Sequence, residues 1–240
     1  MKRQGGPRVN VAIYGRALLH LVRHPSVLVV PLVASVIDML VQFWGGIATD
    51  PLGGFGSGIL QMAVQILYLF AFGAAIVQAN NIDRGHRAGF DDAWEETRKK
   101  AGGILIAAIG FQFVIYIASY VGALLPIPNL GVVLGMAAAY FLIFTMPAAS
   151  IGGLPGGLAI SGSIRAVRNN PLAALLLAIV FVALWQFGPL YLTVLLGNVL
   201  GANYTPIFQD LSQAIYRTIV LGYLAFPFAV TYDDIAFKLW

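Results

Sequence analysis

Six apolar stretches, at 25–47, 57–79, 102–124, 130–152, 172–197 and 208–231, decide what this chain can become. Each is long enough to cross a bilayer as an α-helix, which takes about 20 residues. In hydrocarbon every backbone N–H and C=O needs a protein partner, which leaves helices or a closed barrel. The runs are continuously apolar and do not alternate with period two, so strands are not expected. The fold class predicted is all-α: a polytopic membrane bundle of six transmembrane helices. Composition agrees, at 59% hydrophobic and 10% charged residues, where a soluble domain carries roughly a quarter charged. There is no cysteine, so disulfides, thiolate metal sites and thiol catalysis are excluded. The basic N-terminal segment is not closely followed by a short apolar core and a small-residue cleavage site. The run from Pro25 therefore reads as a retained span and not a removed signal peptide.

Lysine and arginine set the orientation. Lys2, Arg3, Arg8, Arg16 and Arg23 precede the first span. Arg84, Arg87, Arg98, Lys99 and Lys100 lie between spans two and three, Arg165 and Arg168 between spans four and five, and Lys238 in the C-terminal tail. The loops near 48–56, 125–129 and 198–207 contain neither residue type. Both termini are thus expected in the cytoplasm, and the net charge of +4 reads as a topology signal and not as a nucleic-acid surface.

The three basic segments resemble one another. Aligned without gaps, YGRALLHLVRHPSVLVV from Tyr14, FDDAWEETRKKAGGILI from Phe90 and ISGSIRAVRNNPLAALL from Ile160 superpose Tyr14, Phe90 and Ile160, then Leu18, Trp94 and Ile164, then Leu21, Thr97 and Val167. Those positions share one helical face. The pattern predicts a short amphipathic helix at the membrane surface before spans 1, 3 and 5. Its cationic face would meet anionic headgroups through Arg16, Arg23, Lys99, Lys100, Arg165 and Arg168. In the first copy Arg16, His20, Arg23 and His24 share a face, and in the second Glu95–Lys99 and Glu96–Lys100 form i,i+4 pairs. Gly73, Pro147 and Pro227 place a helix-bending residue near the same end of each even span. One transmembrane domain, 1–240, is therefore expected, built of three repeats at about 10–80, 86–156 and 157–235.

Asp38 interrupts the first span and Arg217 the last. At 1.5 Å rise per residue, Asp38 stands about 20 Å from Pro25, and Arg217 about 24 Å from Asp233 on the same surface. Each charge alone near the bilayer centre costs roughly 3 kcal/mol or more. Their matched depth predicts that spans one and six are neighbours and that Asp38 pairs with Arg217. The pair would serve either to fix helix packing or to line a polar cavity. Gln42, Gln61, Gln65, Gln112, Gln186 and Gln213 are further polar groups in or near the spans, suited to interhelical hydrogen bonds or to the same cavity. Gly131 to Gly135 and Gly153 to Gly157 have the small-xxx-small spacing of close helix contacts. The glycine-rich run 152–157 lacks the Lys-Ser/Thr of a phosphate-binding loop and reads as an inner hinge.

His24-Pro25 with Pro31, Phe90-x-x-Ala93-Trp94, and Ser161-x-Ser163-x-x-Ala166-x-Arg168-Asn169-Asn170 resemble uncharacterised bacterial six-span proteins. The chain is also similar to the membrane domain that accompanies some glycerophosphodiester phosphodiesterases. The resemblance implies a helical membrane protein and transfers no catalytic residues, since the phosphodiesterase domain and its metal ligands have no counterpart here.

No nucleophile–base or metal constellation emerges from the sequence. The paired Glu95 and Glu96 would need histidines on later spans to form an intramembrane metalloprotease, and His20, His24 and His86 all precede them. The expectation is a non-enzymatic inner-membrane protein without a cofactor: a scaffold or accessory subunit contacting lipids and other membrane proteins. The alternative is a transporter or handler of a small solute or lipid, working through Asp38, Arg217 and the mid-span glutamines. A closed helix seam around the pair would favour the first, a cavity the second.

Overall fold

The computed structural model describes residues 11–47, 55–85 and 89–236. Helix α1 (Ala12–Arg23) leads through a 3₁₀ turn (Pro25–Leu28) into α2 (Val29–Ile47). Helices α3 (Phe55–Asp83) and α4 (Phe90–Ala123) are uninterrupted. A broken pair follows, α5 (Leu130–Phe141) and α6 (Thr145–Ser150), and then α7 (Gly157–Asn169). Helix α8 (Pro171–Val182) continues through a π-helical turn (Ala183–Phe187) into α9 (Gly188–Leu200), and α10 (Pro206–Ala236) ends the bundle. Six of these stretches are long and apolar enough to cross a membrane: Pro25–Phe43, Gly58–Asp83, Phe90–Ala123, Leu130–Ser150, Pro171–Leu200 and Pro206–Ala236. The protein is a multi-pass all-helical bundle.

The helices before spans 1 and 5 are separate, as the amphipathic pattern predicts. The one before span 3 is not: residues 90–101 run straight into the span as one 34-residue helix. The reason lies in the aligned turn. Pro25 and Pro171 each begin a new helical segment, where a missing N–H costs nothing. The second copy has Ala101 there, the best helix former, and the helix does not stop.

Of the expected faces, the aligned Leu21, Thr97 and Val167 are buried, but the middle position is displaced by one residue. Leu18 is 56% exposed and Trp94 41%, whereas Ala17, Ala93 and Ser163, one position earlier in each copy, are buried. Small residues allow close approach, so each segment lies on the bundle through a small-residue face. His20 does not join Arg16 and Arg23 on an outer face; its ring stacks on Phe226 at 5.4 Å.

Even spans form the centre and odd spans the periphery. The apolar window of the last span is 61% buried, and that of the fifth only 11%. The packed region lies toward the basic side, where Ala71–Val77 of α3, all of α6 and Val220–Ala229 of α10 converge. Phe72 meets Phe228 edge-on at 5.0 Å. Gly73 is needed there, because a Cβ would come within 2.7 Å of Ile104. Helix α3 runs through Gly73 and α10 through Pro227; only the fourth span breaks.

That break shows how tertiary structure supports a local defect. Around Leu142–Phe144 the helical ladder is interrupted. Ser163 of α7 repairs it from outside: its Oγ donates to the Phe141 carbonyl at 2.9 Å and accepts from the Phe144 N–H at 3.0 Å. Backbone at this depth must be satisfied by protein, and one buried hydroxyl satisfies both groups.

Of the two small-xxx-small pairs, Gly131 and Gly135 make a close contact. A Cβ at Gly131 would come 2.6 Å from the Ser119 carbonyl oxygen, and one at Gly135 would overlap the Ser119 hydroxyl. Gly153 and Gly157 have nothing within 4 Å of a built Cβ. They sit in or beside the turn before α7, so their spacing has no packing role; Gly153 adopts φ +65°, a backbone state natural to glycine.

Candidate functional site

Asp38 and Arg217 meet. Arg217 Nη1 donates to Asp38 Oδ2 at 2.5 Å. The antiparallel packing of α2 and α10 produces the contact. As numbering falls from Asp38 and Ser35 of α2 to Leu28 of the 3₁₀ turn, it rises along α10 from Arg217 to Thr218 to Gly222. Thr218 Oγ1 bonds Ser35 Oγ at 3.0 Å, and Gly222 lies against Leu28 so closely that a Cβ would come 2.5 Å from it.

The carboxylate is held by more than the arginine. Asp38 is 5% exposed. Tyr68 of α3 donates its hydroxyl to Oδ2 at 2.8 Å, and Gln42 donates to Oδ1 at 3.2 Å. Three donors, from Arg217, Tyr68 and Gln42, thus meet on one carboxylate. The guanidinium is flanked by aromatic rings, with its carbon 5.6 Å from the Tyr68 centroid and 5.9 Å from that of Trp185. Tyr68 and Trp185 meet edge-on at 5.2 Å. The π-electron faces add attraction for the cation, and the ion pair sits in a box built from spans one, two, five and six.

Trp185 owes its position to the π-turn. Pro189 has no N–H, so a carbonyl one turn earlier loses its helical donor. Tyr216 supplies a substitute, its hydroxyl donating to the Leu184 carbonyl at 2.9 Å. Gly188 leaves room for that hydroxyl, which any Cβ would overlap. Leu184 and Trp185, both in the π-turn, lie against α10.

One side of the pair is not sealed. A cavity of about 180 Å³ borders it. Helix α2 contributes Ser35, Asp38 and Gln42, and α10 contributes Gln209, Asp210, Gln213 and Arg217. On each helix these positions recur at three- and four-residue spacing, a polar stripe on an otherwise apolar span. Gln213 is also anchored to Thr193 of α9 at 3.2 Å. The Arg217 side chain is 27% exposed and forms part of the cavity wall.

Of the six glutamines singled out in the sequence, Gln42 and Gln213 reach the cavity, while Gln61 and Gln186 are exposed and Gln65 and Gln112 lie elsewhere. Sequence reasoning missed Asp210 and Gln209. The signal was present, since Asp210, Gln213 and Arg217 share a helix face and lie within the stretch 208–231.

The basic side holds a second polar network. Lys100 bonds Glu96 at 2.7 Å and the Ser150 carbonyl at 2.9 Å, and Asn81 bonds Glu96 at 3.0 Å. Arg84 pairs with Asp233 at 2.5 Å. Lys100 thus ties α4 to the end of α6. Lys99 pairs with Glu95 at 3.0 Å on an exposed face. Arg16, Arg23, Arg165 and Arg168 are exposed, as headgroup contacts would require. The chain matches no family model, no curated protein and no solved structure.

Proposed function

We propose that the chain is a multi-pass protein of the inner membrane, with both termini cytoplasmic, that binds and passes a small polar solute at a site between its first and last spans. The observation that carries this is the cavity beside the Asp38–Arg217 pair. A pair serving only to fix helix packing needs an apolar surround; here two helices instead direct a stripe of hydroxyl, amide and carboxyl groups into one space. Ionisable groups facing a cavity within a membrane span mark solute pathways. A scaffold or accessory subunit has no use for such a space, which moves the balance from the sequence-based expectation to its alternative.

Three further features support the reading. The arginines and lysines outside the spans all flank one set of loops, the bias that sets inside from outside. Ala17, Ala93 and Ser163, aligned in the three basic segments, are buried alike. The same ends of the three even spans converge in the core, so the fold is consistent with three copies of one unit, an origin common among transporters. Arg16, Arg23, Arg165 and Arg168 are exposed, which supports a role in contacting anionic headgroups at the cytoplasmic surface.

The test uses the absence of native cysteine. A cysteine in place of Gln213 should react with a small membrane-impermeant thiol reagent added outside intact cells. One in place of Ile219, exposed on the same helix but facing lipid, should not. A Gln213→Cys variant that is folded, expressed and inert to the reagent would remove the basis of the proposal.

A further inference from the structure

Three charged side chains border the cavity: Asp38, Asp210 and Arg217. Asp38 and Arg217 neutralise each other at 2.5 Å. Asp210 is half-buried and makes no hydrogen bond or ion pair with any described residue. No lysine or arginine occurs in the loops at that end of the bundle. The space therefore holds one negative charge beyond what its walls balance. Its other lining groups, Ser35, Gln42, Gln209 and Gln213, are neutral.

Resting on the solute-binding reading, we infer that the site takes a small solute bearing an ammonium group, with Asp210 as the group that receives it. Opposite charge within a few ångströms is worth several times more in a low-dielectric site than in water. An anion would meet two carboxylates and a guanidinium already matched by one of them. Arg217 and the glutamine amides on the cavity wall suit a neutral or negative acceptor at the solute's other end. Seven residues along α10 separate Asp210 from Arg217, about 10 Å of rise, so the two ends of the cavity differ in character. The space of about 180 Å³ suits a small solute, and an amino alcohol and a small amino acid serve as probes.

The experiment is thermal unfolding of the purified full chain in lipid nanodiscs, at constant ionic strength, with ethanolamine, glycine or acetate as probe. Ethanolamine, glycine or both should raise the melting temperature in a saturable way, and acetate should not. Asp210→Asn should weaken the apparent affinity for the active probe about tenfold or more, the scale of a charge-assisted hydrogen bond. Asp210→Glu should retain most of it. Response to both probes, or to ethanolamine alone, identifies the ammonium as sufficient; response to glycine alone shows that the acceptor end is also read. The inference is overturned if acetate acts as well as the amines, if no probe shifts the melting temperature, or if the shift survives in Asp210→Asn. When Gln213→Cys is labelled from outside but no amine binds, only the ligand assignment fails. When Gln213→Cys is inert, the site itself fails.

Discussion

Asp38 and Arg217 are unequal partners. Asp38 is 5% exposed and enclosed by donors from Arg217, Tyr68 and Gln42. Arg217 retains contact with the cavity. Replacing Arg217 by Gln strands a carboxylate in a nearly closed space, a change that costs about 3–5 kcal/mol when one half of a buried pair is lost. Replacing Asp38 by Asn leaves a guanidinium that borders the cavity and two ring faces, and should cost less. In a double-mutant cycle the loss from both changes together should fall short of the summed single losses by about 0.5–3 kcal/mol. Strict additivity in chemical unfolding would mean that the two charges do not depend on each other. The match in depth was legible in the sequence because rise per residue is constant. Tyr68 and Trp185 were not legible as partners, since their helices are brought to the pair by packing alone.

At the scale of elements, two irregularities in the spans are sustained by side chains from elsewhere. Ser163→Ala would leave the Phe141 carbonyl and the Phe144 N–H without their partner. The expected loss is about 1–3 kcal/mol per unsatisfied group. Ser163→Thr, which keeps the hydroxyl, should recover part of it if the extra methyl fits; a silent Ser163→Ala variant would show that the break needs no such support. The continuity of α4 gives a second expectation. Ala101→Pro should cost about 3 kcal/mol, because at 101 the ring would clash with the Thr97 carbonyl inside an unbroken helix. Tolerance without loss of helicity would instead mean that residues 90–100 behave as a separate surface segment, like α1 and α7. The proline-started helices were readable from Pro25 and Pro171. The break in the fourth span was only half readable: Pro147 pointed to it, but Pro227 carries the same signal and α10 continues.

For the whole molecule, the membrane supplies the frame. A cysteine at Pro128 should label from outside intact cells, and one at Arg168 only after permeabilisation; the reverse pattern would invert the topology. Gly131→Leu should separate α4 from α5, whose contact at Ser119 leaves no room for a side chain, with a cost of about 1–3 kcal/mol or more from overpacking. Pattern alone determined the number of spans, their limits to within a few residues except at the start of the third, whose helix begins at Phe90, the grouping of the charged loops on one side and the pairing of the first span with the last. Each of these follows from a rule local in sequence: helix length against bilayer thickness, or the cost of a charge at a given depth. Tertiary structure decided which face of each amphipathic segment is covered, that even spans are central, that Ser163 closes the break in span four, and that Asp38 and Arg217 border a cavity with Asp210 on its wall. Those outcomes depend on how small residues let helices approach, and that distance is settled only when all six helices pack at once.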